Sequence, residues 1–355
     1  MSTIENGHET YMKRCLQLAE KGLGATSPNP LVGAVLVYEG RIIGEGWHQQ
    51  YGKAHAEVNC LLSVSEDQKQ FIPKSTLYVN LEPCSHFGKT PPCASMIVEN
   101  KIPKVVIGSV DSNQKVAGKG IQRLKDAGIE VITGILEKEC RWLNRRFFTA
   151  QEKKRPYIFL KWAQSDEGYI APKDKSRFQL SNASSQKLVH RMRAEEDAIL
   201  IGYQTALNDN PQLNPRFWKN SGNLLTRIVL DLENNLPDDL KTFDNQQPTL
   251  IFNYHIEKKE GLNEWILINR KESLLPQLLQ KLSSFNSLIV EGGAKTLQLF
   301  IDADMWDEAF VFKTPISIQE GIPAPLLKSA IHFQNFNLDL DVVNLQIHEH
   351  NEFYI

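Results

Sequence analysis

No run of about eighteen apolar residues, the length a membrane-spanning helix requires, occurs anywhere in the chain. A basic excess is missing as well. Its 40 Lys and Arg residues stand against 42 Asp and Glu, a formal net charge of −2, whereas a nucleic-acid-binding surface normally carries a surplus of cations. The opening residues Met1-Ser2-Thr3-Ile4-Glu5-Asn6-Gly7 have neither the basic start nor the apolar stretch of a secretory leader. Cysteine is scarce: there are five residues in all, an odd number that does not make a disulfide framework. Internal repeats and low-complexity tracts are also lacking. These absences predict a soluble cytoplasmic protein with no membrane and no nucleic-acid partner. What is present is an ordinary hydrophobic content of 41% over 355 residues, enough for two domains of about 100–200 residues each.

Two of the five cysteines lie in Pro83-Cys84-Ser85-His86-Phe87-Gly88-Lys89-Thr90-Pro91-Pro92-Cys93, and upstream stands His55-Ala56-Glu57. One imidazole and two thiolates supply three ligands to a zinc ion and leave the fourth position to water. That is the pattern of a catalytic site rather than a closed structural one. Glu57 is the partner such a site needs, because an attacking water must lose a proton and a leaving amine must gain one. His-x-Glu followed by Pro-Cys-x-x-Cys is the signature of zinc-dependent nucleobase deaminases. Here the two cysteines stand farther apart, and the insert reads as a stiff loop of Gly88, Thr90, Pro91 and Pro92 beside the open position. Pro92-Cys93 then starts a helix through Val98. The competing reading takes Cys84 and Cys93 as small core residues and His55 as a surface imidazole. It leaves the coincidence of four residue types unexplained. His55, Cys84 and Cys93 are the expected metal ligands and Glu57 the expected catalytic residue. Cys15, Cys60 and Cys140 sit in apolar patterns and read as core.

Alternation of helix and strand signals runs the length of the chain. Helical periodicity covers Glu9–Lys21, His55–Val64, Cys93–Asn100 and Gly120–Ala127. Strands are expected at Leu31–Tyr38, Arg41–Trp47, Thr76–Asn80, Lys104–Gly108 and Glu130–Thr133. A polar charged stretch, Thr149–Pro156, marks a boundary and divides the chain into residues 1–150 and 151–355. Beyond it, strands are expected at Tyr157–Ala163, Ala198–Ile201, Arg227–Leu230, Thr249–Asn253 and Ser287–Val290. Helices are expected at Ser184–Ala194 and Leu274–Leu282, and Leu345–His350 and Phe353–Ile355 are read as closing strands. The pattern is that of α/β sheets covered by helices, with sites beyond the strand ends.

In the second half, the strand Ser287–Val290 runs into Glu291-Gly292-Gly293 and then a helix from Ala294 to Ile301. Two glycines at a strand-to-helix turn allow backbone N–H groups to approach a phosphate. A Gly-Gly turn also serves as a plain tight connection, and this is not the Gly-x-Gly-x-x-Gly fingerprint.

The first part of the chain resembles the deaminase half of the bifunctional riboflavin-biosynthesis deaminase/reductase family. The residues that carry the likeness are Ser27–Val37, Gly46-Trp47-His48, His55-Ala56-Glu57 and the Pro83–Cys93 stretch, with its long ligand spacing. The second part resembles the reductase half through Lys161, Ala163, Ser165, Arg193, Asp197–Gly202, Thr205, Asp209-Asn210-Pro211, Leu213, Arg216 and Glu291–Ala294. The resemblance implies a cytidine-deaminase-like three-layer N-terminal domain and a dihydrofolate-reductase-like C-terminal domain using NADPH, in a homo-oligomer. It implies that Asn29 and His48 contact a phosphoribosyl pyrimidine substrate in the first domain. In the second, Ala163, Phe178, Thr205, Asp209 and the run Gly293, Ala294, Lys295, Thr296, Leu297, Gln298 and Leu299 would line the cofactor site. Ser176, Arg193, Leu213, Arg216 and Glu291 would hold the substrate, with Lys161 near the reacting sugar carbon. The chain departs from the family at Ser165-Asp166-Glu167-Gly168, usually Ser-Leu-Asp-Gly, and at Phe178, usually Trp. His86, His190 and Asp166 read as ordinary residues. Two alternatives compete. A tRNA adenosine or cytidine deaminase with an appended RNA-binding domain predicts a basic second half and short cysteine spacing. A non-catalytic zinc-stabilised assembly module leaves Glu57 without a purpose.

Overall fold

The computed structural model describes residues 3–85, 92–112, 118–174, 178–218 and 224–354. The chain forms two compact units, one ending at Lys153 and one covering Lys154–Tyr354. Among the described residues no helix is long and apolar enough to cross a membrane.

The first unit runs α1 (Thr3–Glu20), β1 (Gly33–Tyr38), β2 (Arg41–Trp47), α2 (Ala56–Leu62), β3 (Thr76–Leu81), α3 (Cys93–Glu99), β4 (Lys104–Ser109), α4 (Lys119–Asp126), β5 (Glu130–Thr133), α5 (Glu137–Leu143) and α6 (Arg145–Lys153). Its sheet has the order β2-β1-β3-β4-β5, with β3, β4 and β5 parallel and β1 antiparallel to both its neighbours. The two-residue period of a strand sorts side chains to opposite faces. Ala34, Leu36, Leu77, Val79, Val105 and Ile107 therefore meet Ala56 and Cys60 of α2, Ala94 and Ile97 of α3 and Leu124 of α4. Val35, Val37, Tyr78 and Val106 face the other way, onto Met12, Cys15 and Leu18 of α1 and Cys140 of α5. This is a three-layer α/β/α arrangement.

Two buried asparagines fasten the segment entering β1. Asn80 accepts from the Gly33 N–H at 2.8 Å and donates to the Leu31 carbonyl at 3.0 Å. Asn144 pairs with both backbone groups of Leu31, at 2.8 and 2.9 Å. Helix α2 lies unusually close to β2. A Cβ on Gly46 would fall 2.2 Å from the Cys60 nitrogen and 2.6 Å from the Ala56 carbonyl oxygen. Both atoms are backbone, so nothing flexible can yield.

The second unit runs β6 (Tyr157–Gln164), β7 (Tyr169–Pro172), α7 (Ala183–Glu195), β8 (Ala198–Gly202), α8 (Tyr203–Asp209), β9 (Thr226–Leu230), β10 (Thr249–Asn253), β11 (Lys258–Glu260), β12 (Asn263–Leu267), α9 (Leu274–Lys281), β13 (Ser287–Val290), α10 (Ala294–Asp302), β14 (Glu308–Lys313), β15 (Gly321–Pro323), β16 (Ala330–Leu338) and β17 (Asp341–His348). The main sheet has the order β11-β12-β10-β9-β8-β13-β6-β14-β17-β16. It is parallel from β12 to β14 and antiparallel at both margins. Strand β13 inserts between β6 and β8, which come earlier in the chain. Beyond β8 the chain moves one way, through α8 to β9. Beyond β13 it moves the other way, through α10 to β14. The carboxyl ends of β8 and β13 thus flank a topological switch point, where open α/β sheets bind ligands. The closing strand expected at Phe353–Ile355 does not form. Phe353 lies in a turn, its N–H bonded to the Asn351 side chain at 3.1 Å and its ring buried, because β17 already pairs with β14 and β16 on its two sides.

Replacing Gly46 by Ala forces α2 off the sheet. Overpacking of this kind costs about 1–3 kcal/mol, so Gly46→Ala is expected to lower the melting temperature of the first unit in a calorimetric scan. An unchanged scan contradicts the close docking.

Candidate active sites

In the first unit, three elements deliver three ligand atoms to one point. His55 is the residue before α2, with extended backbone (φ −73°, ψ 166°). Cys84 follows the end of β3, and Cys93 is the first residue of α3. Their donor atoms all lie within 4.8 Å of one another, the only such group among the described residues. His55 Nδ1 is 3.6 Å from the Cys84 sulfur and 3.3 Å from the Cys93 sulfur. The Cys93 backbone N–H, one of the amides a helix start leaves without an internal partner, donates to Cys84 Sγ at 3.3 Å. The hydrogen bond from the Cys93 thiol, reinforced by the His55 imidazole and then by this backbone N–H, holds the Cys84 thiol well below the ordinary range. The hydrogen bond to Cys84 raises the His55 pKa in turn. A borderline nitrogen with two soft sulfurs, one of them predisposed to ionise, is a donor set that fits zinc.

Glu57, in the first turn of α2, is 3% exposed. Burial, together with the Cys84 charge, pushes its carboxyl above the usual range. Asn29 and His48 are joined at 3.1 Å, and His48 Nδ1 lies 3.0 Å from the Ala54 carbonyl. The carbonyl can only accept, so Nδ1 carries the proton and Nε2 accepts from Asn29. The His48 ring stands edge-on to His55 with centroids 5.4 Å apart. His86 and the rest of the insert through Pro91 lie outside the described residues. Sequence reasoning missed Glu82. Its buried carboxylate accepts the N–H groups of Asp111, Gly118, Gly120 and Ile121 at 2.9–3.3 Å and so ties the turn before Cys84 to the start of α4. An acid directly following the apolar strand Leu77–Leu81 was the available signal.

In the second unit, a charged cluster sits at the carboxyl end of β13. Arg193, from α7, grips Glu291 with two parallel bonds of 2.9 and 2.7 Å, the fork geometry that makes such pairs strong. Burial works against ionisation of Glu291, yet the Arg193 and Lys161 charges overcome it and hold the carboxyl at about 2. Burial lowers the Lys161 pKa, with the Glu291 charge opposing the fall. Arg216 donates to the side chains of Gln212 and Asn214 at 2.8 and 2.9 Å, and Leu213 is buried in a left-handed conformation (φ 56°). His190, read from sequence as ordinary, is buried at the same place. Burial, then the charges of Arg193 and Arg216, hold its imidazole pKa at about 4, and its ring stands edge-on to Phe217 with centroids 4.6 Å apart.

Beside this cluster the two switch-point turns approach closely. Gly293 has φ 68°, and an added Cβ there would stand 3.3 Å from Thr205 Oγ1; one on Gly202 would stand 2.4 Å from Thr296 Oγ1. The first internal bond of α10 is from Leu297 N–H to the Gly293 carbonyl, so the amides of Ala294, Lys295 and Thr296 are open to an anion. A cradle that a single Cβ would fill, facing open helix amides, fits the phosphates of a nicotinamide cofactor. The remaining expected residues divide. The Leu297 side chain turns into the core, and Leu299 is half-buried against it. The Gln298 amide is engaged with Asp302 and the Leu326 N–H. Asp209 ends α8, Ala163 packs beside Phe312 and Val189, and Phe178 is 46% exposed. Ser176 lies outside the described residues. At the departure Ser165–Gly168, Asp166 is exposed, while the Glu167 carboxylate accepts from the hydroxyls of Ser317 and Ser165 and from the Ile318 N–H. The carboxylate of that turn is therefore a loop fastener.

Comparison with known proteins finds a family for each unit. Residues 5–109 match the cytidine and deoxycytidylate deaminase zinc-binding region, and residues 156–350 match the RibD C-terminal domain. The riboflavin biosynthesis protein RibD of Aquifex aeolicus is 41% identical over 321 residues, 88% of each chain. That of Bacillus amyloliquefaciens is 36% identical over 348 residues, 95% of this chain and 91% of the relative. A solved structure from Thermotoga maritima, described as a diaminohydroxyphosphoribosylaminopyrimidine deaminase/5-amino-6-(5-phosphoribosylamino)uracil reductase, superposes with a TM-score of 0.88 at 33% identity, covering 97% of this chain and 99% of its own. Acinetobacter baumannii RibD superposes with a TM-score of 0.87 at 30% identity, covering 97% and 99%. The matched second unit sets aside an RNA-binding appendage, and the two matched regions imply a zinc ion and a nicotinamide cofactor. Matched in both halves and over nearly its whole length by these relatives, the chain belongs to the RibD family, the bifunctional deaminase/reductases of riboflavin biosynthesis.

Proposed function

We propose that the first unit hydrolyses the 2-amino group of 2,5-diamino-6-ribosylamino-4(3H)-pyrimidinone 5′-phosphate, and that the second reduces the ribosyl chain of the product to ribityl with NADPH. The observation that carries the reading is the meeting of His55, Cys84 and Cys93 within 4.8 Å, with buried Glu57 one helical step away. These three residues would hold zinc, which when bound supplies the Lewis acidity that makes a water nucleophilic at neutral pH. Glu57 takes the proton the attacking water loses and passes it to the ring nitrogen and then to the departing amine. The carbon–oxygen bond forms, the carbon–nitrogen bond breaks, and ammonia leaves. Asn29 and His48, locked to each other, orient the pyrimidine.

In the second unit, Gly293 and the open amides after it would bind the cofactor phosphates, and the cofactor supplies hydride to C1′ of the ribose in its open-chain imine or aldehyde form. Lys161 stands beside that carbon. Arg193 and Arg216 supply cationic forks for a phosphorylated sugar, and Glu291 holds Arg193 in place while facing the ribose.

Purified protein is expected to hold about one zinc per chain, and the Cys84→Ser, Cys93→Ser double variant almost none. Metal content near one per chain in that variant contradicts the ligand set. Glu57→Gln keeps the shape but cannot accept a proton. It should lower the rate of ammonia release by about 10²–10⁴-fold while reduction of pre-deaminated substrate continues. Release at more than about a tenth of the wild-type rate excludes the proton-shuttle role. Gly293→Val fills the cradle and should raise the KM for NADPH strongly with ammonia release untouched; unchanged NADPH binding in a fluorescence titration disproves the cradle.

A further inference from the structure

Helix α4 has no cap of its own. Its N-cap is Gly118, left-handed at φ 73° and without a side chain, and no acid stands in its first turn. The amides at such a start lack internal partners, and an acceptor oxygen or a negative charge placed there stabilises the helix. Glu82, 36 residues upstream of Gly118, brings both. It is 4% exposed. Its Oε1 accepts from the N–H groups of Gly120 at 2.9 Å and Ile121 at 3.2 Å, and its Oε2 from those of Gly118 at 2.9 Å and Asp111 at 3.3 Å. A carboxylate has about four lone-pair sites, and these amides occupy them. The helix side of the contact has no slack. A Cβ on Gly120 would fall 2.0 Å from the Pro83 carbonyl oxygen and 3.1 Å from Glu82 Oε1. The next residue, Cys84, is gripped by α3: the Ala94 N–H donates to its carbonyl at 3.1 Å, and the Cys93 N–H to its sulfur at 3.3 Å. Cys84 is thus held by two helix starts, directly by α3 and through Glu82 by α4.

We infer that Glu82 is a positioning residue for the metal centre: by seating the Pro83-Cys84 segment on the start of α4, it fixes where the Cys84 sulfur stands before zinc arrives. The inference rests on the reading of Cys84 as a zinc ligand. The four partners of the Glu82 carboxylate are backbone amides, so it acts through the chain rather than on the metal. His55 and Cys93 are set by the starts of α2 and α3, which leaves Cys84 as the ligand whose place depends on Glu82. Groups that orient a ligand without binding the metal change its affinity by about 10–100-fold when they are removed.

The test is zinc affinity of the full-length chain, stripped of metal and titrated against a chromophoric chelator, in Glu82→Gln, Cys84→Ser and Val106→Ala. Gln keeps the shape of Glu82 but turns one acceptor oxygen into a donor, so two of the four amides lose their partner in either orientation. Glu82→Gln should raise the zinc dissociation constant about 10–100-fold. Reduction of pre-deaminated substrate by the same protein should stay within about twofold of wild type, a change too small to represent a lost contact. Val106→Ala empties a core position on the other face of the sheet. It should lower the melting temperature yet leave the zinc constant within about twofold, because lost stability alone does not move a ligand in the folded protein. If Cys84→Ser binds zinc as tightly as wild type, the ligand reading fails and the role of Glu82 falls with it. If Cys84→Ser loses zinc while Glu82→Gln does not, or if Val106→Ala weakens zinc as much as Glu82→Gln, the positioning role alone is overturned. Should Glu82→Gln fail to fold, Gly120→Ala decides, since its Cβ displaces Pro83 from the helix side: zinc weakened about tenfold or more supports the role, and a wild-type constant refutes it.

Discussion

Bringing an imidazole nitrogen and two sulfurs within 4.8 Å of one another is the constraint on which the first unit depends. Three lone-pair donors so close are mutually unfavourable unless a proton or a cation lies between them. The fold forces the meeting through close backbone approach. Gly46 lets α2 lie against β2, which sets His55 and Glu57 at the edge of the sheet. Glu82 ties the strand end before Cys84 to three amides at the start of α4 and to the Asp111 amide after β4. Neither device touches the ligands, yet each limits where a ligand can stand. A triad held this way needs little rearrangement to bind a metal, so more of the binding energy appears as affinity.

The second unit solves a different problem with the same economy of parts. Lys161, Arg193 and Glu291 place two cations and one anion where water is largely excluded. A buried pair is tolerated only when its geometry is excellent, and losing one partner leaves a costly bare charge. The two parallel bonds between Arg193 and Glu291 meet that condition. The net positive charge that remains suits a phosphorylated sugar. Gly293, where the proposed cofactor cradle begins, lies two residues further along the chain, so on that reading a single strand end would carry both the carboxylate that faces substrate and the turn that approaches the phosphates. In the proposed reduction that adjacency would set hydride donor and acceptor side by side, which is where much of the advantage of an enclosed site arises.

The parts legible in the sequence were those with local signals. Few residue types bind zinc, and His55, Glu57, Cys84 and Cys93 lie within a span of forty residues. Strands such as β1, β3, β8 and β13 are short, dense apolar runs because both faces are covered. The rest is tertiary. Strand β16 is exposed along most of its length and mixes polar with apolar residues, so only its pairing with β17 makes it a strand. Strands β12 and β14 went unread beside stronger neighbours, and Phe353, apolar and terminal, suggested a strand where a buried turn suffices. His190 looked like a core histidine and is one. Its ring meets Phe217 edge-on, a tertiary contact that leaves no local signal. The Leu297 side chain lies in the core, as helix geometry dictates for its position in α10.

On the proposed reading one chain performs two reactions, in order, at two independent sites. The most direct measurement is a time course with wild-type protein and the diaminopyrimidine ribosyl phosphate, following ammonia and cofactor absorbance with and without NADPH. Without NADPH, ammonia should be released in full and the deaminated pyrimidine should accumulate unreduced. With NADPH, cofactor oxidation should begin only after a lag set by ammonia release. Oxidation that precedes ammonia, or ammonia release that requires NADPH, would contradict the account.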